Sequence, residues 1–376
     1  MSTLPYSINP DRSKPWNDLP DLPIKEECYR TIEVVEQLGH SKAALGRLQG
    51  RSVAIPNQGV LINSISLQEA KDSSAIENIF TTDDELYQAF SDIHEEEEKG
   101  PAKEVLRYRE ALWSGLDHLR QVQLFSLDYF IHIYRIIKQT KDGLRPPFAQ
   151  VYIRRGGSGP AAGKPFYTPP RGKDILERKL ANLIDFINDD QKYRLDPLLK
   201  MAIAHFQFEA IHPFRDGNGR AGRIFNIHLL TQKELLDYPI LYLSSYIMDH
   251  KNEYYDSLAD VSQKGNWQKW LLYMLKAVEV TANLTYLKIN DILSASEAIT
   301  QAIASDTEIR RPEQLVQMIF TQPYTKVKHL TDQGIYAENT ARAYLNQLVE
   351  MGVCEKKVIQ GHHYYLNLEL YRILTS

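Results

Sequence analysis

HPFRDGNGRAGR, residues 212 to 223, separates two helical patterns and gathers groups suited to holding a phosphate chain beside a proton acceptor. Upstream, Leu198, Met201, Ile203, Phe206, Phe208 and Ile211 form an apolar helical run, and Pro213 forbids its simple continuation. Downstream, Ile224, Phe225, Ile227, His228 and Leu230 start a second helical pattern. The stretch therefore predicts a helix-turn-helix junction. Its glycines present free backbone N–H groups at a new helix N-terminus, a place that favours bound anions, and phosphate is the natural guest.

An isolated histidine more often serves structure, but the neighbours of His212 assign it chemistry: an imidazole at this helix end can accept a proton from an incoming hydroxyl. Gly217, Asn218 and Gly219 allow the close backbone approach that a phosphate cradle requires. Asp216 would repel phosphates unless a cation lay between them, which suggests a Mg²⁺ ligand. Arg220 and Arg223 are three apart on one helix face, in a first turn where the macrodipole disfavours each cation by about 0.3 to 1 kcal/mol. A nucleotide phosphate tail compensates them better than a pair of structural ion pairs. Phe214 is expected to pack inward and anchor the turn.

The remaining composition sets bounds. At 376 residues the chain accommodates two or three domains, and 43% hydrophobic residues is ordinary for a globular protein. A formal charge of -4 gives no global attraction to nucleic acid or anionic membrane. Cys28 and Cys354 form no CxxC pair, which argues against a disulfide scaffold or a thiolate-bound metal. The first residues lack a secretory pattern and no apolar run approaches membrane-spanning length, so the expectation is a cytoplasmic protein with no membrane partner.

Residues 1 to 23 read as irregular, with five prolines, and helical patterns follow from about Lys25 to Gln88 with breaks near Gly50 and Pro56. The acidic run Glu95 to Glu98 reads as a solvated helix end or loop. Helices are expected over Ala102 to His118, Leu127 to Lys138, Ile175 to Asn188, Ser245 to Lys264 and Trp267 to Ser294. Between them, Val151 to Ile153, a glycine-rich turn and Phe166 to Thr168 predict a β-hairpin set into a helical domain. Within that turn, GSGPAA (157 to 162) and Gly163-Lys164 imitate a dinucleotide fingerprint and a P-loop ending, but no helix opens there. From Pro312 the order is helix, helix, turn, long helix from Ala337 to Met351, then a strand pair around a GHH turn holding His362 and His363. That is the order of a winged helix-turn-helix. The expected fold is mainly α, divided into an N-terminal helical region (1 to 100), a central catalytic domain (101 to 295) and the winged helix (310 to 376).

HPFRDGNGRAGR closely resembles the signature of Fic-domain proteins. The resemblance extends through the hairpin ending FYTPP, the entering helix HFQFEAIHPF and the downstream KNEYY, over roughly Leu61 to Leu287. With the C-terminal winged helix, the pattern looks like single-chain adenylyltransferases of the SoFic type. The resemblance implies transfer of AMP from Mg-ATP to a Ser, Thr or Tyr hydroxyl of a target protein, and of the protein itself, with release of pyrophosphate. By the same resemblance His212 is the general base and Asp216 the Mg²⁺ ligand. Gly217, Asn218 and Gly219 line the phosphate nest, within an ATP-binding stretch that continues through Arg220, Ala221, Gly222 and Arg223. Arg220 and Arg223 hold the distal phosphates, and Tyr254 meets the adenine, a role that Tyr255 could share or take. The hairpin, 151 to 168, matches the flap that positions a target segment by strand addition. A homodimer is compatible with the family.

SSAIENIF adds a second family feature: Ser73, three intervening residues, then Glu77 and Asn78, the spacing of the Fic inhibitory motif. Ser73 and Glu77 are four apart, which places them on one helix face, and the Glu77 carboxylate is expected to pair with Arg223 and withhold it from ATP. Rival readings are another transferred group, removal of AMP, or a DNA-binding regulator acting through the winged helix. The last is disfavoured, since residues 312 to 376 carry six Lys plus Arg against six Asp plus Glu.

Overall fold

The computed structural model describes residues 6–53, 58–92, 100–154, 165–359 and 361–376. The acidic run, GSGPAA and Gly163-Lys164 lie outside the described residues. After a short 3₁₀ turn at Glu26–Cys28, the chain runs α1 (Ile32–Val53), α2 (Gln58–Ile76), α3 (Asp83–Ser91), α4 (Pro101–Val122) and α5 (Leu127–Lys138). Strands β1 (Ile153–Arg154) and β2 (Pro165–Tyr167) then precede α6 (Ile175–Asn188), α7 (Pro197–Ile211), α8 (Asn218–Gln232), α9 (Leu243–Asp249), α10 (Lys251–Lys264) and α11 (Trp267–Asp306). The C-terminal part holds α12 (Pro312–Ile319), β3 (Tyr324–Thr325), α13 (Val327–Asp332), α14 (Glu338–Glu350), β4 (Cys354–Ile359), β5 (His362–Asn367) and α15 (Leu368–Thr375). No helix among the described residues is long and apolar enough to cross a membrane.

The fold is mainly α and forms two compact units. The first comprises residues up to Gly46, Arg107–Pro239 and Leu243–Ala282; the second comprises Arg47–Leu106, Ile240–Tyr242 and Asn283–Ser376. At the centre of the first unit, α7 is buried from Leu198 through Ile211, so apolar residues recur on every side of it, with Lys200, His205, Gln207 and Glu209 buried among them. Asp196 caps its start by accepting from the Leu198 N–H, with Pro197 in the first turn. α8 packs against it at Gly222, where an added Cβ would come within 2.6 Å of Glu209 Oε1, 3.1 Å of the Phe208 ring and 3.2 Å of the His205 ring. Phe130 stacks on Phe208 at 5.1 Å, and α11 docks by donating the Trp270 indole N–H to Ala202 O at 2.8 Å.

Residues 6 to 23 are irregular, as expected, yet they form a packed strap in this unit. Trp16 and Leu19 are buried, Trp16 N donates to Thr168 O, and the Asn182 side chain bonds both the N–H and the carbonyl of Leu22.

In the second unit, β3, β5 and β4 form an antiparallel sheet in that order beside α12 to α14, the winged-helix arrangement. α3 is tied to it: Ser91 Oγ donates to Tyr324 O and the Tyr324 hydroxyl to Asp84, both at 2.7 Å. His362 and His363 belong to β5 rather than to the turn, because Ile359 already pairs with His362. Other boundaries also differ from expectation. α1 runs through Gly50, whose cost of about 1 kcal/mol is outweighed by the buried Leu45, Leu48 and Ser52 around it. The expected helix over Ser245 to Lys264 divides at His250, and α11 continues to Asp306 because no Gly or Pro interrupts it.

Gly222→Ala forces atoms into this closed contact. We expect it to lower stability by about 1 to 3 kcal/mol, read as a fall in urea midpoint with unchanged slope.

Candidate functional site

His212 ends α7 in the left-handed region, φ 50° and ψ 62°, a conformation that costs a non-glycine residue about 1 to 2 kcal/mol. Its N–H still bonds Phe208 O at 2.9 Å, and Pro213 prevents another helical turn. The loop to α8 is closed by Asn218, whose Oδ1 accepts from Phe214 N at 2.8 Å while its Nδ2 donates to Phe214 O at 2.9 Å. Phe214 is fully buried and stacks flat on Tyr134, centroids 4.1 Å apart. The inward anchor expected from the sequence is thus in place, and Asn218 spends its side chain on closing the loop.

Gly217 precedes α8 at φ 78°, a backbone conformation that favours glycine, and it offers no capping side chain to the N–H groups of the first turn. Arg220 and Arg223 are both almost wholly buried, and Ala221 is fully buried beside them. Asp216 is exposed. Its Oδ1 accepts from Gly217 N at 2.7 Å and its Oδ2 from the Lys138 ammonium at 2.5 Å. Partial desolvation raises the Asp216 pKa, but Lys138 and the Gly217 N–H outweigh it and hold the carboxyl below the usual range. Lys138 is the last residue of α5, where the helix dipole favours a cation. Among the described residues no group of three or more His, Cys, Asp or Glu forms a metal cage. A lone accessible carboxylate is nevertheless the donor set Mg²⁺ uses when substrate phosphates and water complete its shell.

Tyr254 lies on α10, buried, with its hydroxyl 2.8 Å from His205 Nε2. Tyr255, next to it, meets the Phe166 ring of β2 edge-on at 6.5 Å. The His205 pKa is pushed down to about 3 by burial and by the nearby charge of Arg223, so the ring is neutral. Glu209 and Arg223 both act on the Tyr254 hydroxyl, which groups these four side chains.

Of the hairpin, β1 and β2 pair antiparallel, with Ile153 opposite Tyr167 and Arg154 opposite Pro165; residues 155 to 164 lie outside the described residues. Ser73 is buried in α2, in the second unit. Glu77 lies one residue past that helix, in a turn where its N–H bonds Ser74 O and Asn78 takes φ 64°. The expected shared helix face therefore stops at Ile76, because the left-handed Asn78 closes the helix.

Three family models match: the Fic/DOC family N-terminal model over residues 35–117, the Fic/DOC family model over 124–230, and the C-terminal domain of SoFic-like protein adenylyltransferases over 297–370. The chain belongs to the Fic/DOC family. A Fic family protein from Desulfovibrio desulfuricans G20 shares the fold with TM-score 0.56 at 20% identity, covering 92% of this chain and 98% of that one. A fragment of Fic-1 from Caenorhabditis elegans gives 0.53 at 18% identity, over 70% and 74% of the two chains. Protein adenylyltransferase fic-1 of Caenorhabditis briggsae is 32% identical over 115 residues, 31% of this chain and 21% of that protein. Its Caenorhabditis elegans counterpart is 28% identical over 159 residues, 42% and 28%. The chain thus spans about a quarter of the length of these curated relatives.

The Fic motif accounts for His212 to Arg223, but sequence reasoning missed Lys138, Arg145, Tyr167 and His205. Only His205 left a signal, a polar residue seven before His212, two turns back on the same helix.

His205 and His228, whose pKa burial lowers to about 4, are both neutral in the fold. The unfolded chain protonates them below about pH 6.5, so their contribution is fully present above that pH and is lost as pH falls toward their folded values. Urea titrations should show stability falling by about 1.4 kcal/mol per pH unit for each ring between about pH 5.5 and 4.5, and His205→Asn should remove one proton from that slope.

Proposed function

We propose that this Fic protein is a protein adenylyltransferase that moves AMP from Mg-ATP onto a Ser, Thr or Tyr hydroxyl of a target protein or of itself. The observation that carries the reading is the junction itself. A histidine closes one buried helix, and five residues later a helix opens with an uncapped N-terminus and two buried arginines in its first turns. Similarity to relatives named protein adenylyltransferase supports the same reading.

In this proposal the His212 imidazole takes the hydroxyl proton as the hydroxyl oxygen bonds to the α-phosphorus. The bond from that phosphorus to the bridging oxygen breaks, and pyrophosphate leaves with the electron pair. Gly217, Asn218 and Gly219 line the phosphate nest, with the N–H groups of Asn218 and Gly219 donating to phosphate oxygens; Arg220 and Arg223 neutralise the distal phosphates, and Tyr254 borders the adenine. Asp216 would hold Mg²⁺, which when bound neutralises phosphate charge; Lys138 must then give up its oxygen. A target segment adds to the flap at 151 to 168, which orients its hydroxyl. Ser73 and Glu77 form the inhibitory motif, with the Glu77 carboxylate taking Arg223 from ATP. We retain the division into an inhibitory region, a catalytic domain and a target-selecting winged helix as part of this proposal.

With α-labelled ATP the protein should retain label and release pyrophosphate; retention of a γ label instead would mean phosphoryl transfer and would refute the assignment. His212→Ala should lower the rate by about 10² to 10⁴-fold with an unchanged melting curve. Glu77→Gly should raise it, and equal activity of that variant and the parent would end the inhibitory reading.

A further inference from the structure

Arg145 stands in the loop after α5 and is only 3% exposed. Its Nε donates to His212 O at 2.7 Å, and its Nη2 donates to Pro170 O at 2.6 Å and to Ile211 O at 3.2 Å. Its own backbone N–H donates to Pro213 O at 2.9 Å. The Tyr167 hydroxyl of β2 donates to Ala210 O at 2.8 Å. Four consecutive carbonyls, from Ala210 to Pro213, are therefore held by two residues, one ahead of the hairpin in sequence and one in its second strand.

A helix that stops at a proline leaves its last carbonyls without partners, and buried carbonyls need donors. Arg145 supplies them with a planar fork, and its charge complements the negative end of α7. The same guanidinium reaches Pro170, in the segment that leaves β2. One side chain thus joins the residue ending α7 to the exit of the hairpin.

We propose that Arg145 is a positioning residue that fixes His212 through its backbone and couples that placement to the hairpin strand along which a target would lie. Tyr167 is its auxiliary, holding the preceding carbonyl. The inference deepens the adenylyltransferase reading and rests on it for the consequence in catalysis, while the clamp itself can be tested apart from activity.

The experiment uses the full chain carrying Arg145→Lys, which keeps the charge and loses the fork, and Tyr167→Phe, which removes one bond. Hydrogen-exchange mass spectrometry should show faster exchange in residues 165 to 172 and 208 to 216 together, with α4 and α5 as in the parent and a smaller effect for Tyr167→Phe. In the Glu77→Gly background, Arg145→Lys should lower kcat for AMP transfer on the order of 100-fold. The affinity for α,β-methylene ATP, measured by calorimetry, should stay within about threefold, because the ground-state contacts remain. Parental exchange in either segment, loosening spread evenly over the chain, or undiminished kcat overturns the proposal. If neither the parent nor Glu77→Gly transfers AMP, the adenylyltransferase reading fails, and the exchange result still decides the clamp.

Discussion

The two hydrogen bonds between the Asn218 side chain and the backbone of Phe214 hold the geometry of the first unit's centre. Two buried helices must reverse direction within a few residues, and the reversal would leave an N–H and a carbonyl stranded in the core. A single carboxamide satisfies both, since it offers a donor and an acceptor on one rigid plane. With that loop closed, Phe214 is pinned on Tyr134 and the N-terminus of α8 has a fixed direction. Everything electrostatic about the site follows from that direction.

The charges around the loop follow one rule. Arg220 and Arg223 are buried at the end of a helix where cations are disfavoured, while Lys138 and Arg145 sit at helix ends where they are favoured. The first pair is held against the dipole of its own helix. The second pair is structurally content and shapes what the first pair surrounds. His205 belongs to neither group: it is kept neutral, and so adds a hydrogen-bond partner for Tyr254 without adding charge.

Much of this was legible in the sequence because the decisive residues are consecutive. A proline, the run Gly217, Asn218 and Gly219, and three arginines in a twelve-residue window announce a helix reversal, whatever surrounds it. The C-terminal winged helix was legible for a similar reason, since its helices and hairpin follow one another without long insertions. Arg145 and Tyr167 were not legible. The partners of their side chains are main-chain carbonyls 25 to 67 residues away, and a carbonyl has no sequence signature. Nor did the sequence place α3 against the strand at Tyr324, because a pairing across some 240 residues depends on contacts that no local period records. The helix end at Ile76 fell one residue short of Glu77 for a local reason: Asn is among the few residues that accept a left-handed backbone, and here it did.

The strap formed by residues 6 to 23 has no regular structure, so its order is borrowed from what it touches. Thr168, immediately after β2, donates its hydroxyl to Arg12 O and accepts from Trp16 N, while the Arg12 guanidinium lies over the Phe166 ring. Four prolines, Pro10, Pro15, Pro20 and Pro23, lower the entropy lost when the segment is laid down, which lets a few bonds hold it. Detaching the strap would strip the hairpin exit of its partners, and disturbing the exit would release the strap. Residues 6 to 23 and the strand before Pro170 thus share one local opening equilibrium, and the strap reports on the strand that ends the hairpin.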